Sequence, residues 1–123
     1  MAGDSHPVLD AVQVAELMAL DQGQGAFYAR FVSVFLSGVD ERIAQLHRHA
    51  ASADAAALAD AAHALTGSSG SVGAARLAAL FGRIENAGKR QDIGAAKELL
   101  ALLDAEYALA RGALLAAAGK GRG

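Results

Sequence analysis

Residues 62–74 read AHALTGSSGSVGA, and the fold turns on how that run divides. Leu58, Ala62, Leu65 and Ser69 recur at intervals of 4, 3 and 4, the period of one helix face. Gly67, Ser68, Ser69, Gly70 and Gly73 then crowd together, so a helix over 54–70 is expected to give way to a turn at 70–73. A second periodic segment starts at once. Gly73, Leu77, Leu80, Phe81, Ile84 and Gly88 share one stripe over 73–88. Two helices joined by so short a turn are antiparallel neighbours.

The same reading extends outward. Residues 8–20 form a short first helix, with Asp10 placed to favour its start. DQGQG (21–25) is a turn. Phe27, Phe31, Val34 and Phe35 open a helical spacing that Val39, Ile43, Leu46 and Ala50 continue past Gly38. That segment is either one kinked helix or two nearly collinear ones. Ser52 and Asp54 are cap candidates for the helix that follows. GKRQD (88–92) is a polar turn, with Asp92 as a cap. Ile93, Ala96, Leu100, Leu103, Tyr107, Ala110 and Leu114 then alternate by 3 and 4 as one last helix. No alternation of period two competes. The expected fold is all-α: an antiparallel four-helix bundle with an additional short N-terminal helix. It occupies 8–116, between tails at 1–7 and 117–123 expected to be disordered.

Composition narrows the function. The chain has 123 residues, enough for one domain with one core. Hydrophobic residues are 54% but aromatics only 5%, which suits closely approaching helices. The formal charge of −2 gives no nucleic-acid footprint. With no cysteine, disulfides and thiolate metal sites are excluded, and a reducing compartment fits. No apolar run reaches the ~18 residues of a membrane span, and MAGDSHP lacks the basic and apolar regions of a signal peptide.

His63 is the informative residue. On a helical wheel it lies roughly 130° from the centre of its own apolar stripe. Its flank holds Ala56, Ala59, Gly67 and Gly70, where a solvent face ordinarily carries Lys, Glu or Gln. Glycine inside a helix costs about 0.5–1 kcal/mol against alanine. A chain that accepts two of them beside one imidazole leaves that imidazole bare for a closely approaching partner. The plainer alternative is that these glycines only end the helix.

This stretch resembles the signature of histidine-containing phosphotransfer (HPt) domains of multistep two-component phosphorelays. His63, Leu65, Gly67, Ser68, Ser69, Gly73 and Ala74 stand in the family's places, and Leu77, Leu80 and Glu85 match its next helix. The resemblance covers nearly all of 8–116. It implies a phosphocarrier, not an enzyme. His63 accepts a phosphoryl group from a receiver phospho-aspartate and passes it to another receiver. The partners implied are response-regulator receiver domains and a sensor histidine kinase, without nucleic acid or direct membrane contact. The domain then has no cofactor of its own, and Mg²⁺ comes with the receiver. No Walker-type glycine loop for ATP is present.

Glu85 is the implied orienting residue. In the expected hairpin it returns to about the level of His63, beside the small Ala74, Ala78 and Gly82. A carboxylate accepting the Nδ1 proton fixes the tautomer and leaves Nε2 as nucleophile. Partner docking is expected at Ala59, Thr66, Gly67, Ser68 and Gly70. Phe27, Phe31 and Phe35 are expected to be mainly core, the alternative being that some of them border the docking patch. The sequence departs from the family at Thr66, where a lysine is usual. A hydroxyl in place of that charge implies a more labile phosphohistidine or a different receiver preference.

Two other readings compete. In a metal or haem bundle, His47 and His49 would have to converge. Two residues apart on a helix, they point about 160° from one another. A binding-only module would dock a receiver or kinase without carrying phosphate, and Thr66 leaves room for it. The expected setting is cytoplasmic, either freestanding or as the C-terminal part of a larger hybrid kinase.

Overall fold

Asp10, Asp54 and Asp92 each turn a carboxylate oxygen back onto N–H groups at the start of a helix. Asp10 accepts from Val12 and Gln13 at 3.1 Å, Asp54 from Ala57 at 3.1 Å, and Asp92 from Ala95 at 3.0 Å. Each bond satisfies a donor that the first turn leaves free. The computed structural model describes residues 6–120. Among these, the chain forms α1 (Ala11–Ala19), α2 (Ala26–Ala51), α3 (Ala55–Val72), α4 (Ala75–Lys89), α5 (Ile93–Leu100) and α6 (Leu103–Lys120), with no strand.

Asp21 starts α2, because the residue before that helix, Gly25, has no side chain to cap it. Its carboxylate accepts from Phe27 N–H at 2.8 Å and Gly25 N–H at 3.1 Å. These bonds, Phe27's foremost, hold the Asp21 carboxyl below its usual range.

α2 packs on α3, α3 on α4, α4 on α5 and α6, and α6 returns to α2. The result is an antiparallel four-helix bundle whose fourth rod is α5 and α6 in succession. α1 lies against α2 and the end of α3. The core runs through the ring: Tyr28, Leu46, Leu58, Leu65, Leu77, Phe81, Ile84, Leu103 and Leu114 are fully buried.

Several expected boundaries move. α3 does not stop at residue 70. Val72 is buried like Leu65 and Ser69, and this continuing spacing carries the helix past Gly70 to Val72. Gly73 ends it at φ +91°, in the left-handed region that glycine reaches without strain. The segment across Gly38 is one helix. The expected last helix is two, with a turn at 101–102. Residues 117–120, expected as tail, extend α6, and Ala118 is buried. The expected disorder at 1–5 and 121–123 lies outside the described residues. Residue 6 is held, since Arg76 Nε donates to the His6 carbonyl at 3.0 Å.

Two contacts fix α3. At its C-terminal end, Asp10 N–H donates to Gly73 O at 2.8 Å, and Gln13 Nε2 to Ser71 O at 2.9 Å. The buried Tyr28 hydroxyl donates to Val72 O at 3.0 Å, a bond worth about 1 kcal/mol. Near the N-terminal end, Gly88 of α4 meets α3 so closely that a methyl there would lie 3.0 Å from both Ala55 O and Ala59 Cβ.

Candidate functional site around His63

One turn along α3 from that close crossing, His63 leaves the bundle. Its side chain is 75% exposed, while the side chain of Glu85, opposite on α4, is 10% exposed. His63 Nδ1 lies 2.9 Å from Glu85 Oε2. With the carboxylate ionised, Nδ1 carries the proton and donates, and Nε2 keeps its lone pair. No hydrogen bond engages Nε2 among the described residues. Lys89, one turn further along α4, places Nζ 3.0 Å from the same Oε2.

Glu85 is thus a nearly buried carboxylate held by two donors. Burial raises its titration point, but the bonds from Lys89 and His63 outweigh burial, and the group titrates below the usual glutamate value. A carboxyl lowered on folding stabilises the fold above its unfolded value. That contribution is lost as pH falls through the folded value. Between about pH 5 and pH 3, the urea midpoint of the wild type is expected to fall more steeply than that of Glu85→Gln. Equal slopes would mean that solvent screens the pair too well to matter.

The surroundings of His63 are partly as expected. Gly67 and Gly70 are exposed with open space around them, and Ala64 is exposed beside them. Ala59 is a correction. It is 7% exposed, covered by Gly88 of α4, and presents nothing to a partner. A wheel angle shows which side of a helix a residue takes, but not whether a neighbour covers that side. Thr66 is half-buried and its hydroxyl donates to Ala62 O at 2.9 Å, within its own helix. Ser68 likewise donates to Ala64 O at 3.2 Å.

Two features escaped the sequence reading. Lys89 was expected only as part of a polar turn, although its i, i+4 spacing from Glu85 was visible. The second is a groove of about 370 Å³ between α2 and α3, lined by Phe31, Val34, Gly38 and Arg42 on one side and Ser68 and Ser71 on the other. Phe35 is buried as expected, but Phe27 is 42% and Val34 67% exposed. Phe27, Phe31, Val34 and Gly38 follow one another at i, i+4, i+7 and i+11, an apolar stripe too wide for the core alone. No group of three His, Asp or Glu side chains among the described residues is placed to hold a metal, and His47 and His49 do not converge on one.

A family model described as the Hpt domain matches residues 30–113. The crystal structure of histidine-containing phosphotransfer protein B (HptB) from Pseudomonas aeruginosa PAO1 superposes with a TM-score of 0.83. It is 27% identical, and the match covers 94% of this chain and 98% of that one. No curated protein matches the sequence. An exposed imidazole on α3, its Nδ1 tied to a carboxylate on α4, therefore sits in a chain that belongs to the Hpt domain family, the phosphotransfer carriers of two-component signalling.

Proposed function

We propose that His63 is the phosphoryl acceptor, taking the group from the phospho-aspartate of a response-regulator receiver domain and returning it to another receiver aspartate. The observation that carries this reading is an imidazole 75% exposed, with Nδ1 engaged by Glu85 and Nε2 open. Nε2 attacks phosphorus in line. The bond from phosphorus to the aspartyl oxygen breaks, and its electron pair leaves with the carboxylate. Such transfers depend on positioning and charge stabilisation. The Mg²⁺ that offsets the phosphoryl charge belongs to the receiver. Glu85 supports the ring's orientation and tautomer. A sensor histidine kinase stands upstream, and the setting is the cytoplasm.

The groove between α2 and α3 suits an apolar helix of the receiver, with Arg42 available to an acidic side chain at one edge. Gly67 and Gly70 let the receiver backbone come close to His63. The test is incubation with phosphorylated receiver domains. The expected product is an acid-labile, base-stable label that maps to His63. Tight binding without label would make the chain a docking module instead.

Gly67→Arg separates access from fold. Nothing lies within 4 Å of a Cβ built there, so the variant folds, and leaving glycine adds about 0.5–1 kcal/mol of helix stability. Receiver-dependent labelling is expected to slow by about tenfold or more, because a displaced docking geometry costs rate steeply. Labelling by the small donor phosphoramidate is expected to stay near wild type. Equal receiver rates would show that this face is not approached.

A further inference from the structure

Thr66 leaves the face of His63 without a cation from its own helix, and its hydroxyl is turned onto Ala62 O. The cation that reaches the pair comes from α4. His63 Nδ1 and Lys89 Nζ meet a single oxygen, Glu85 Oε2, at 2.9 and 3.0 Å. Resting on the function proposed above, we infer that Lys89 is a positioning residue. By holding the oxygen that accepts from Nδ1, it limits how strongly Glu85 draws a proton onto the phosphorylated ring, and so prolongs the life of phospho-His63.

The chemistry runs through the leaving group. With phosphorus on Nε2, a proton on Nδ1 makes the ring an imidazolium. In hydrolysis a water oxygen bonds to phosphorus, the phosphorus–Nε2 bond breaks, and its electron pair returns to Nε2. The ring departs as neutral imidazole that keeps the Nδ1 proton, and the water's protons remain on the dihydrogen phosphate. Without the Nδ1 proton the ring would have to leave as an anion, which is far slower. An unshared carboxylate beside Nδ1 stabilises the imidazolium and hastens loss. An ammonium on the same oxygen weakens that pull. Asp60, three residues before His63, is the other ionisable side chain within a turn on α3. It is unchanged in every variant below.

Lys89 is 64% exposed, so its substitution leaves the fold intact. The full chain is phosphorylated with potassium phosphoramidate, and the ³¹P resonance absent from His63→Gln is followed as it decays. Lys89→Met is expected to shorten the half-life about three- to fivefold, the scale of a partly solvated ion pair. Lys89→Arg is expected to stay within about 1.5-fold of wild type. In a Glu85→Gln background, Lys89→Met is expected to change nothing, because the charge it moderates is gone. An unchanged half-life in Lys89→Met, or the same shortening in the Glu85→Gln background, overturns the inference. Transfer from a phosphorylated receiver is measured in parallel. Its absence, with the Lys89 dependence intact, would sink only the receiver reading. Its presence, with a lifetime indifferent to Lys89, would sink only this one.

Discussion

Glutamine in place of His63 is expected to remove receiver-derived label to background, a loss of at least about 100-fold, while the unfolding midpoint stays near wild type. The substitution is chosen for shape. A glutamine amide N–H can donate to Glu85 Oε2 as Nδ1 does, so the carboxylate keeps a partner. What disappears is the nucleophilic lone pair. Three other imidazoles remain: His6, His47 and His49. None of them has a carboxylate within hydrogen-bond reach among the described residues, and His47 and His49 stand on α2. Phosphoamino-acid analysis after receiver incubation reads the result. Label persisting on another histidine would move the site away from α3 altogether.

Valine in place of Gly88 is expected to cost about 3 kcal/mol or more, lowering the melting temperature by roughly 10 °C. Even a methyl there would stand 3.0 Å from Ala55 O and 3.1 Å from Ala59 N. Those are backbone atoms of α3, which no rotamer change can move aside. Valine adds two methyls to the same space, and α4 must lift off α3. Gly88 lies three residues beyond Glu85 on α4, so that lift also lengthens the 2.9 Å contact to His63. Gly82→Ala on the same helix is the control. No atom lies within 4 Å of its Cβ, and it is expected to gain about 0.5 kcal/mol. Thermal melts followed by circular dichroism check both. A Gly88→Val protein that melts with the wild type would show that the crossing yields to a larger side chain.

Legibility varied from residue to residue. Asp10, Asp54 and Asp92 were found as caps because capping is local chemistry, readable within four residues. The outward direction of His63 was readable because a helix period fixes angles along one rod. The break at 101–102 was not. Ala101 and Leu102 are good helix formers, and the spacing of Leu100 and Leu103 runs straight through. What divides the rod is how α5 and α6 each seat on α2 and α4. Ala59 and the groove failed for the same reason, since both depend on which surface of another helix lies alongside. Gly67, Ser68 and Gly70 invited an early stop. Buried Leu65, Ser69 and Val72 overrode that weak propensity through packing.

The weakest helix formers of α3 occupy a span clamped at both ends. α4 pinches one end at Gly88, and α1 with Tyr28 grips the other at Ser71, Val72 and Gly73. A beam so anchored need not be stiff in its own material. Its middle turn can be built of glycine and serine and still hold an imidazole steady while a visitor pushes against it. Stiffness in this seat is borrowed from its abutments, so loosening either one would let the ring wander before any residue near it had changed.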